Sequence, residues 1–351
     1  MNRYDVIVVG GGQSGLAVGY YLRRSGLSFL ILDKEDSSGG SWQHHWKSLR
    51  LFSPAQWSSL PGVIMNGGAD YYPSLEETIS YLTAYESKYG FPIKRPVDVH
   101  RVAKDTNGFK IETSEGVFYS TALVSATGSF YNPYIPKIAG LDKFTGTVIH
   151  SSSYKSPETF IGKTVAIVGE GNSGAQILAE VSKLTDTIWI TQRMPRFLPD
   201  HIDGRYLFDA ATQMYEAQKA GKDYTPPSLG DIVMVESVKE ARSRNVLTSV
   251  GPLDSFAGNS VVLRSGNTEE VDVVIFCTGF KSSLAHLEAL DIITDGKVDT
   301  IGTRAKRIDG LWLVGYGNWT GFASATLIGV GRSAKKTVEE IQAFVGQTIQ
   351  S

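Results

Sequence analysis

Hydrophobic and polar positions along the chain follow a pattern that is laid down once and then repeated. Near the start, the apolar run Val6-Ile7-Val8-Val9 meets Gly10-Gly11-Gly12-Gln13-Ser14-Gly15 and continues as Leu16-Ala17-Val18-Gly19-Tyr20-Tyr21-Leu22. A short continuous apolar run, a cluster of glycines and a longer apolar segment predict a buried strand, a tight turn and a helix. A second run, Phe29-Leu30-Ile31-Leu32, closes on Asp33. Ser74, with Glu77 three residues on, is a capping box that opens a helix, and Gly90 ends it. From 109 to 128 the pattern is hairpin-like, turning at Ser114-Glu115-Gly116 and finishing in Ala122-Leu123-Val124-Ser125-Ala126-Thr127-Gly128.

The chain then begins again. Thr164-Val165-Ala166-Ile167-Val168 leads into Gly169-Glu170-Gly171-Asn172-Ser173-Gly174, a helical stretch, and the strand Thr187-Ile188-Trp189-Ile190-Thr191. Far downstream, Val273-Val274-Ile275-Phe276-Cys277-Thr278-Gly279 repeats the Thr-Gly ending of the first half. Duplication of both the glycine turn and the distal Thr-Gly strand predicts an α/β protein with two Rossmann-like dinucleotide-binding domains. The expected boundaries are 1–155 and 281–351 for a discontinuous first dinucleotide-binding domain and 156–280 for an inserted second one. An irregular insertion at about 195–252 interrupts the second domain, with a helix at 210–220, the break Thr225-Pro226-Pro227-Ser228 and a helix near 236–244. This insertion is either a cover for the nucleotide edge or an inert decoration. A loop at 317–321 and a helix starting near Ala325 complete the first domain.

The glycines of Gly10-x-Gly12-x-x-Gly15 serve three different ends: the first turns the chain, the second admits a pyrophosphate, and the third lets helix pack on strand. Phosphates would sit on the unpaired amides of the helix N-terminus, with Gln13 and Ser14 in the turn. Asp33 lies at the distance expected of an acid that binds a ribose hydroxyl, with Lys34 beside it. The strand before, the helix after and the acid behind disfavour a glycine-rich turn without a ligand. Gly169, Gly171, Asn172, Ser173 and Gly174 repeat the arrangement. Gln192 stands as far after Gly171 as Asp33 stands after Gly12, so a neutral amide takes the place of an NAD-selecting carboxylate. Arg193 follows, and either grips a 2′-phosphate or points to solvent. The pair predicts NADPH as coenzyme with NADH also accepted, the preference being no more than about tenfold.

Bulk properties narrow the class. At 351 residues the chain exceeds one ordinary core, and a composition 42% hydrophobic and 20% charged is that of a globular protein. A net charge of −2 gives no basic field for nucleic acid or for an anionic membrane. No apolar run approaches the roughly 18 residues of a membrane span, and the first strand carries no cleavage-site pattern, so a cytoplasmic protein is expected. The single cysteine, Cys277, excludes an intramolecular disulfide and a Cys-x-x-Cys redox pair, and its apolar strand makes it packing. His44 and His45 have no convincing metal-ligand spacing. Redox chemistry must come from a bound cofactor.

Two dinucleotide folds in one chain make chemical sense when a nicotinamide delivers hydride to a flavin. Between them lies Phe144-Thr145-Gly146-Thr147-Val148-Ile149-His150-Ser151-Ser152-Ser153-Tyr154-Lys155. Here the chain resembles the flavin-containing monooxygenases, matching every fixed position of F-x-G-x-x-x-H-x-x-x-[YF]-K. The related Baeyer-Villiger signature ends in Trp-Pro or Trp-Asp, where this chain has Tyr154-Lys155. The resemblance extends through Gly39-Gly40-Ser41-Trp42, Ala126-Thr127-Gly128 and Gly171-Asn172-Ser173-Gly174, and so covers nearly the whole chain, which looks like a short bacterial member.

What the resemblance implies is a reaction in which NADPH reduces FAD, oxygen adds at the flavin C4a, and the hydroperoxide passes one oxygen to a sulfide, an amine or a ketone. Gly40, Ser41, Trp42, Thr127 and Gly128 would contact the FAD, and Thr278 and Gly279 the coenzyme. Asn318 and Thr326 would lie near the isoalloxazine, where an arriving helix N-terminus stabilises a reduced ring. Asn172 and His150 join the catalytic candidates; His150 either steadies the hinge and the nicotinamide or acts as an acid-base group. An asparagine that supports the hydroperoxide in larger members falls on Phe52, which predicts leakage to hydrogen peroxide. The partners are O2 and a small organic substrate, with no nucleic acid and no membrane, and a homodimer is the quaternary form to test. A reductase of a protein acceptor and a non-catalytic redox sensor are the rival classes.

Overall fold

The computed structural model describes residues 2–200, 209, 213, 216–217, 220–222 and 231–350. The helix expected at 210–220 lies mostly outside the described residues, and the proline break at 225–228 lies wholly outside them. The chain forms two compact units, one made of Met1–Gln43, Pro54–Asn132 and Lys281–Ser351, the other of His44–Ser53 and Pro133–Phe280.

The first unit opens with β1 (Arg3–Val9), α1 (Gln13–Leu22), β2 (Phe29–Leu32), α2 (Leu75–Tyr89) and β3 (Ile93–Lys94). Ser74 caps α2 through the Glu77 amide, Glu77 reaches back to the Ser74 amide, and Gly90 closes the helix in the left-handed region, as the sequence predicts. Then β4 (Val99–Asp105), β5 (Gly108–Thr113) and β6 (Gly116–Ser125) form an antiparallel meander. Strand β6 also pairs in parallel with β1, which pairs in parallel with β2, and β2 with β3.

The second unit repeats this plan with β7 (Thr147–His150), β8 (Val165–Val168), α3 (Asn172–Val181), β9 (Thr187–Ile190) and α4 (Glu236–Ser243), and then β10 (Leu253–Ala257), β11 (Ser260–Leu263), β12 (Thr268–Glu270) and β13 (Val273–Phe276). Its parallel sheet runs β7-β13-β8-β9, and β10-β11-β12 is the meander. Both faces of that sheet are buried. Val165, Ile167, Val273 and Ile275 pack toward α3, whereas Ala166, Val168, Val274 and Phe276 pack toward the meander residues Leu253, Phe256, Val261 and Leu263. This period of two explains why the strands read as unbroken apolar runs.

The chain returns to the first unit through the hairpin β14 (Ile293–Thr294) and β15 (Lys297–Val298). It continues through β16 (Thr300–Ile301), β17 (Arg304–Ala305) and β18 (Leu311–Leu313), and ends in α5 (Val330–Gln350). Helix α5 packs on α1, and it begins five residues later than the sequence suggested, because Thr326 and Gly329 close a turn first. The boundary drawn at 155 also moves: β7 pairs in parallel with β13, so residues 133–155 belong with the second unit, as do 44–53.

Candidate functional site

In the first unit the three glycines of the turn stand in different surroundings. Gly10, at φ +106°, lies so close to β6 that a Cβ would fall 2.5 Å from the Ala126 carbonyl oxygen. A Cβ on Gly15 would fall 1.9 Å from the Gly10 carbonyl oxygen. These two are fixed by packing of the chain on itself. Gly12 is not: its Cβ would meet only the Gly40 Cα, at 3.8 Å. Gly12 is also the N-cap of α1 and supplies no side-chain cap, so the first amides of the helix face the open side of the turn. The second unit repeats all of this. A Cβ on Gly169 would strike the Cys277 carbonyl at 2.3 Å, one on Gly174 the Gly169 carbonyl at 2.4 Å, and one on Gly171 nothing within 4 Å. Gly171 caps α3 with no side-chain bond either. In both turns the only glycine the protein's packing does not require is the one a pyrophosphate would require, so these residues fit the dinucleotides the fold implies.

Around the first turn the predicted residues come together. Trp42 donates its indole N–H to Gln13 Oε1 at 3.0 Å, and Gln13 Nε2 donates to the Ala325 carbonyl at 2.6 Å. Gln13 therefore ties the Gly40–His44 turn, which includes Ser41, to the loop before α5. Ser14 packs under Gly315, where any side chain would strike its hydroxyl. Thr127 is held by Ser283 and Tyr316, at 2.6 and 2.7 Å, and the Gly128 carbonyl accepts from the Ser283 amide. Asn318 starts a short 3-10 turn. Thr326 spends its hydroxyl on the Ala323 carbonyl and the Gly329 amide. Lys34 is not free beside Asp33: its ammonium sits 2.9 Å from the centre of the Tyr131 ring.

Asp33 is buried, and Arg95 Nε donates to its Oδ2 at 2.6 Å while Nη1 donates to Glu86 at 2.6 Å. Burial raises the Asp33 pKa, and Arg95 together with the Gly11 and Glu35 amides opposes that rise. Arg95 and Glu86 were not among the residues expected here; an arginine before a proline and a glutamate on a helix carry no spacing signal. Nor was the hydroxyl relay in which Ser125 joins the buried His286, at 3.0 Å, to Tyr316, at 2.5 Å.

In the second unit a cleft of about 580 Å³ opens at the ends of β8, β9 and β13, lined by Gly169, Glu170, Gly171, Thr191, Gln192 and Thr278 among others. This is the crevice where open parallel sheets bind ligands. Thr278 donates to the Tyr134 carbonyl, and Gly279 accepts from the Tyr134 amide and from His150. His150 Nδ1 accepts the Ser152 amide at 3.1 Å, which leaves Nε2 as the donor to the Gly279 carbonyl at 3.0 Å. Burial lowers its pKa. Both ring nitrogens are used, so the geometry favours the steadying role over the acid-base one. Asn172 accepts the Val233 amide at 2.8 Å through Oδ1, and so anchors a point within the insertion. Ser173 lies in the first turn of α3. Phe52 is half-buried at the end of the 44–53 segment.

Gln192 does not stand opposite Asp33, as equal spacing from the two turns would have it. Leu32 lies beside Val9, and Ile190 lies beside Val168, so the residue structurally equivalent to Asp33 is Thr191. The path from glycine turn to second strand is one residue shorter in the second unit. Thr191 is buried and bonded to the Arg193 carbonyl and to Ser249. Gln192 and Arg193 follow it, exposed, and Arg264 Nη2 approaches Gln192 Oε1 at 3.5 Å.

Comparison with known proteins agrees with this geometry. Residues 7–226 match the pyridine nucleotide-disulphide oxidoreductase family model. A flavin-containing monooxygenase from Stenotrophomonas maltophilia shares 46% identity over 98% of this chain and 99% of its own, with a TM-score of 0.90. The chain belongs to the flavin-containing monooxygenase family. The uncharacterized oxidoreductase CzcO of Bacillus subtilis (strain 168) is 32% identical to this monooxygenase over 96% of its chain and 99% of the relative. Indole-3-pyruvate monooxygenase YUCCA8 of Oryza sativa subsp. indica is 26% identical over 98% and 92%. A bacillithiol disulfide reductase from Staphylococcus aureus, at 17% identity and TM-score 0.74, shares the fold. An internal dithiol–disulfide couple is closed to this monooxygenase, because Cys277 is its single cysteine, and burial pushes that thiol's pKa up to about 12.

Proposed function

We propose that the first unit holds FAD, that the second holds the nicotinamide coenzyme, and that one atom of O2 is transferred to a soft nucleophile, a sulfide or an amine, or to a ketone. The observation that carries this reading is the pair of glycine turns whose middle members, Gly12 and Gly171, leave room where the chain itself needs none. Bound flavin supplies the redox chemistry: two electrons and a proton from NAD(P)H, with one further proton, reduce O2 so that one oxygen enters the substrate and the other leaves as water.

The protein's share is binding and shielding. The α1 amides and Gly12 receive the pyrophosphate, and Asp33, aimed by Arg95, accepts a ribose hydroxyl. Gln13 holds Trp42 and the loop before α5 in place, and His150 fixes the Gly279 turn in the coenzyme unit. Phe52 has no hydrogen-bonding group in its side chain, so we read it as a residue that would offer no donor where O2 reacts, which favours release of hydrogen peroxide. Arg193 and the neutral Gln192 suit both coenzymes, with NADPH preferred by no more than about tenfold.

Oxygen uptake with NADH or NADPH, run against a panel of sulfides, amines and ketones while product and hydrogen peroxide are measured, tests the reading. Oxygenated product together with a substantial peroxide fraction is expected. Turnover only with an added protein acceptor, or no oxygen consumption at all, would reject it, and full coupling would reject the role given to Phe52.

A further inference from the structure

The two glycine turns differ in one reciprocal way. In the first unit the residue between the leading glycines is Gly11, and a Cβ there would fall 2.5 Å from Asp33 Oδ2. The Asp33 carboxylate accepts the Gly11 amide and the amide of Glu35, two residues past the strand end. In the second unit the strand-end position is Thr191, with no charge, and the residue between the leading glycines is Glu170. Glu170 Oε2 accepts the Gln192 amide at 2.8 Å and the Arg193 amide at 3.1 Å. Arg193 stands two residues past the strand end, as Glu35 does. A carboxylate thus occupies the same niche in both units, held by the same backbone amide. It is delivered from the strand in one unit and from the turn in the other.

We infer that Glu170 is the ribose-binding carboxylate of the coenzyme site and the residue that limits its preference for the 2′-phosphate. This rests on the reading that the second unit binds the coenzyme, and it names a selector that counting along the sequence missed. Glu170 lines the cleft, as do Asp254 and Lys137, so among the described residues the lining holds two carboxylates against one ammonium. Arg193 and Arg264 do not line it. With both amides on Oε2, Oε1 remains as acceptor for a ribose diol, and a carboxylate there repels a phosphate ester on the same hydroxyl.

Glu170→Gln isolates the charge, because a glutamine carbonyl still accepts both amides and keeps the turn. Equilibrium binding of NAD+ and NADP+ to the flavin-loaded protein is read by quenching of intrinsic fluorescence, with 5′-ADP and 2′,5′-ADP as fragments that report the adenosine end alone. In Glu170→Gln, NAD+ and 5′-ADP should bind more weakly and NADP+ and 2′,5′-ADP more tightly, moving the ratio of dissociation constants by about tenfold or more, since charged hydrogen bonds are about twice as strong as neutral ones. A ratio that stays at the wild-type value, whether both affinities fall or neither changes, would make Glu170 a turn clamp only and overturn the inference while leaving the coenzyme site standing. If neither coenzyme nor fragment binds the wild-type protein, both readings fall together.

Discussion

Single residues in the two turns divide into those the fold needs and those a ligand needs, and the division can be measured. Gly12 has φ −74° and ψ −170°, extended backbone open to any residue, so Gly12→Val should fold and yet lose the yellow colour of bound flavin. A variant that keeps a full complement of flavin would defeat the assignment of this turn. Gly15→Ala should fail at the level of folding, since its methyl would overlap the Gly10 carbonyl. Arg95 is a different case. It compensates two carboxylates, Asp33 and Glu86, and removing it as Arg95→Met should cost on the order of 3 to 5 kcal/mol. Burial already raises the Asp33 pKa, and loss of the guanidinium raises it further, so protonation relieves the variant. The melting-temperature gap between wild type and Arg95→Met should therefore narrow as pH falls from 8 to 5; a gap that widens would show that Arg95 does not act on these acids.

At the scale of elements, the family motif at 144–155 gains a physical explanation. Tyr154 donates to Glu180 Oε2 at 3.0 Å, Ser48 donates to the other carboxylate oxygen, and Lys155 donates to the His44 carbonyl. Trp46 is buried against Tyr154, which stacks on Phe160. The motif's final Tyr-Lys pair thus fastens the 44–53 segment to the second unit. Glu180→Ala should speed tryptic cleavage after the exposed Lys47 and Arg50, followed by mass spectrometry; an unchanged cleavage rate would mean that Glu180 does not hold the segment. Strands β1, β2, β5, β6, β8, β9 and β13, with α1, α2, α3 and both turns, were legible because apolar periodicity, glycine spacing and the Ser74–Glu77 pair are local signals. The fastening of 44–53 was not, since Ser48 and Glu180 are far apart in sequence and neither type is diagnostic. The slip between Thr191 and Gln192 has the same origin: strand register depends on the length of a connection, and counting assumes that both connections are equal. Glu170 carried no sequence signal, because the glycine fingerprint leaves the residue between its first two glycines unspecified.

For the molecule as a whole, acid should be the destabilising direction. His286 in the first unit and His45 in the second are both held by burial at pKa values of about 4, below the ordinary value of 6.5. Between those values the unfolded chain binds protons that the folded chain refuses, so stability is complete above about pH 6.5 and declines as pH falls toward 4. For the nearly inaccessible His286 the loss amounts to as much as about 3 kcal/mol. His286→Gln, which can still bond Ser125, should flatten that part of the unfolding-versus-pH curve; an unchanged slope would assign the decline to other groups. The sequence announced two nucleotide folds but could not show which histidines would be buried, because burial is a property of the assembled core. Cys277, half-buried on the cleft of the second unit, offers a practical use. A thiol whose pKa is pushed up to about 12 is almost wholly protonated at neutral pH, so a maleimide dye should react with it far more slowly than with an exposed thiol. A cysteine introduced on an exposed position would then take a label first, which prepares this protein for single-molecule distance measurements without first removing its natural cysteine.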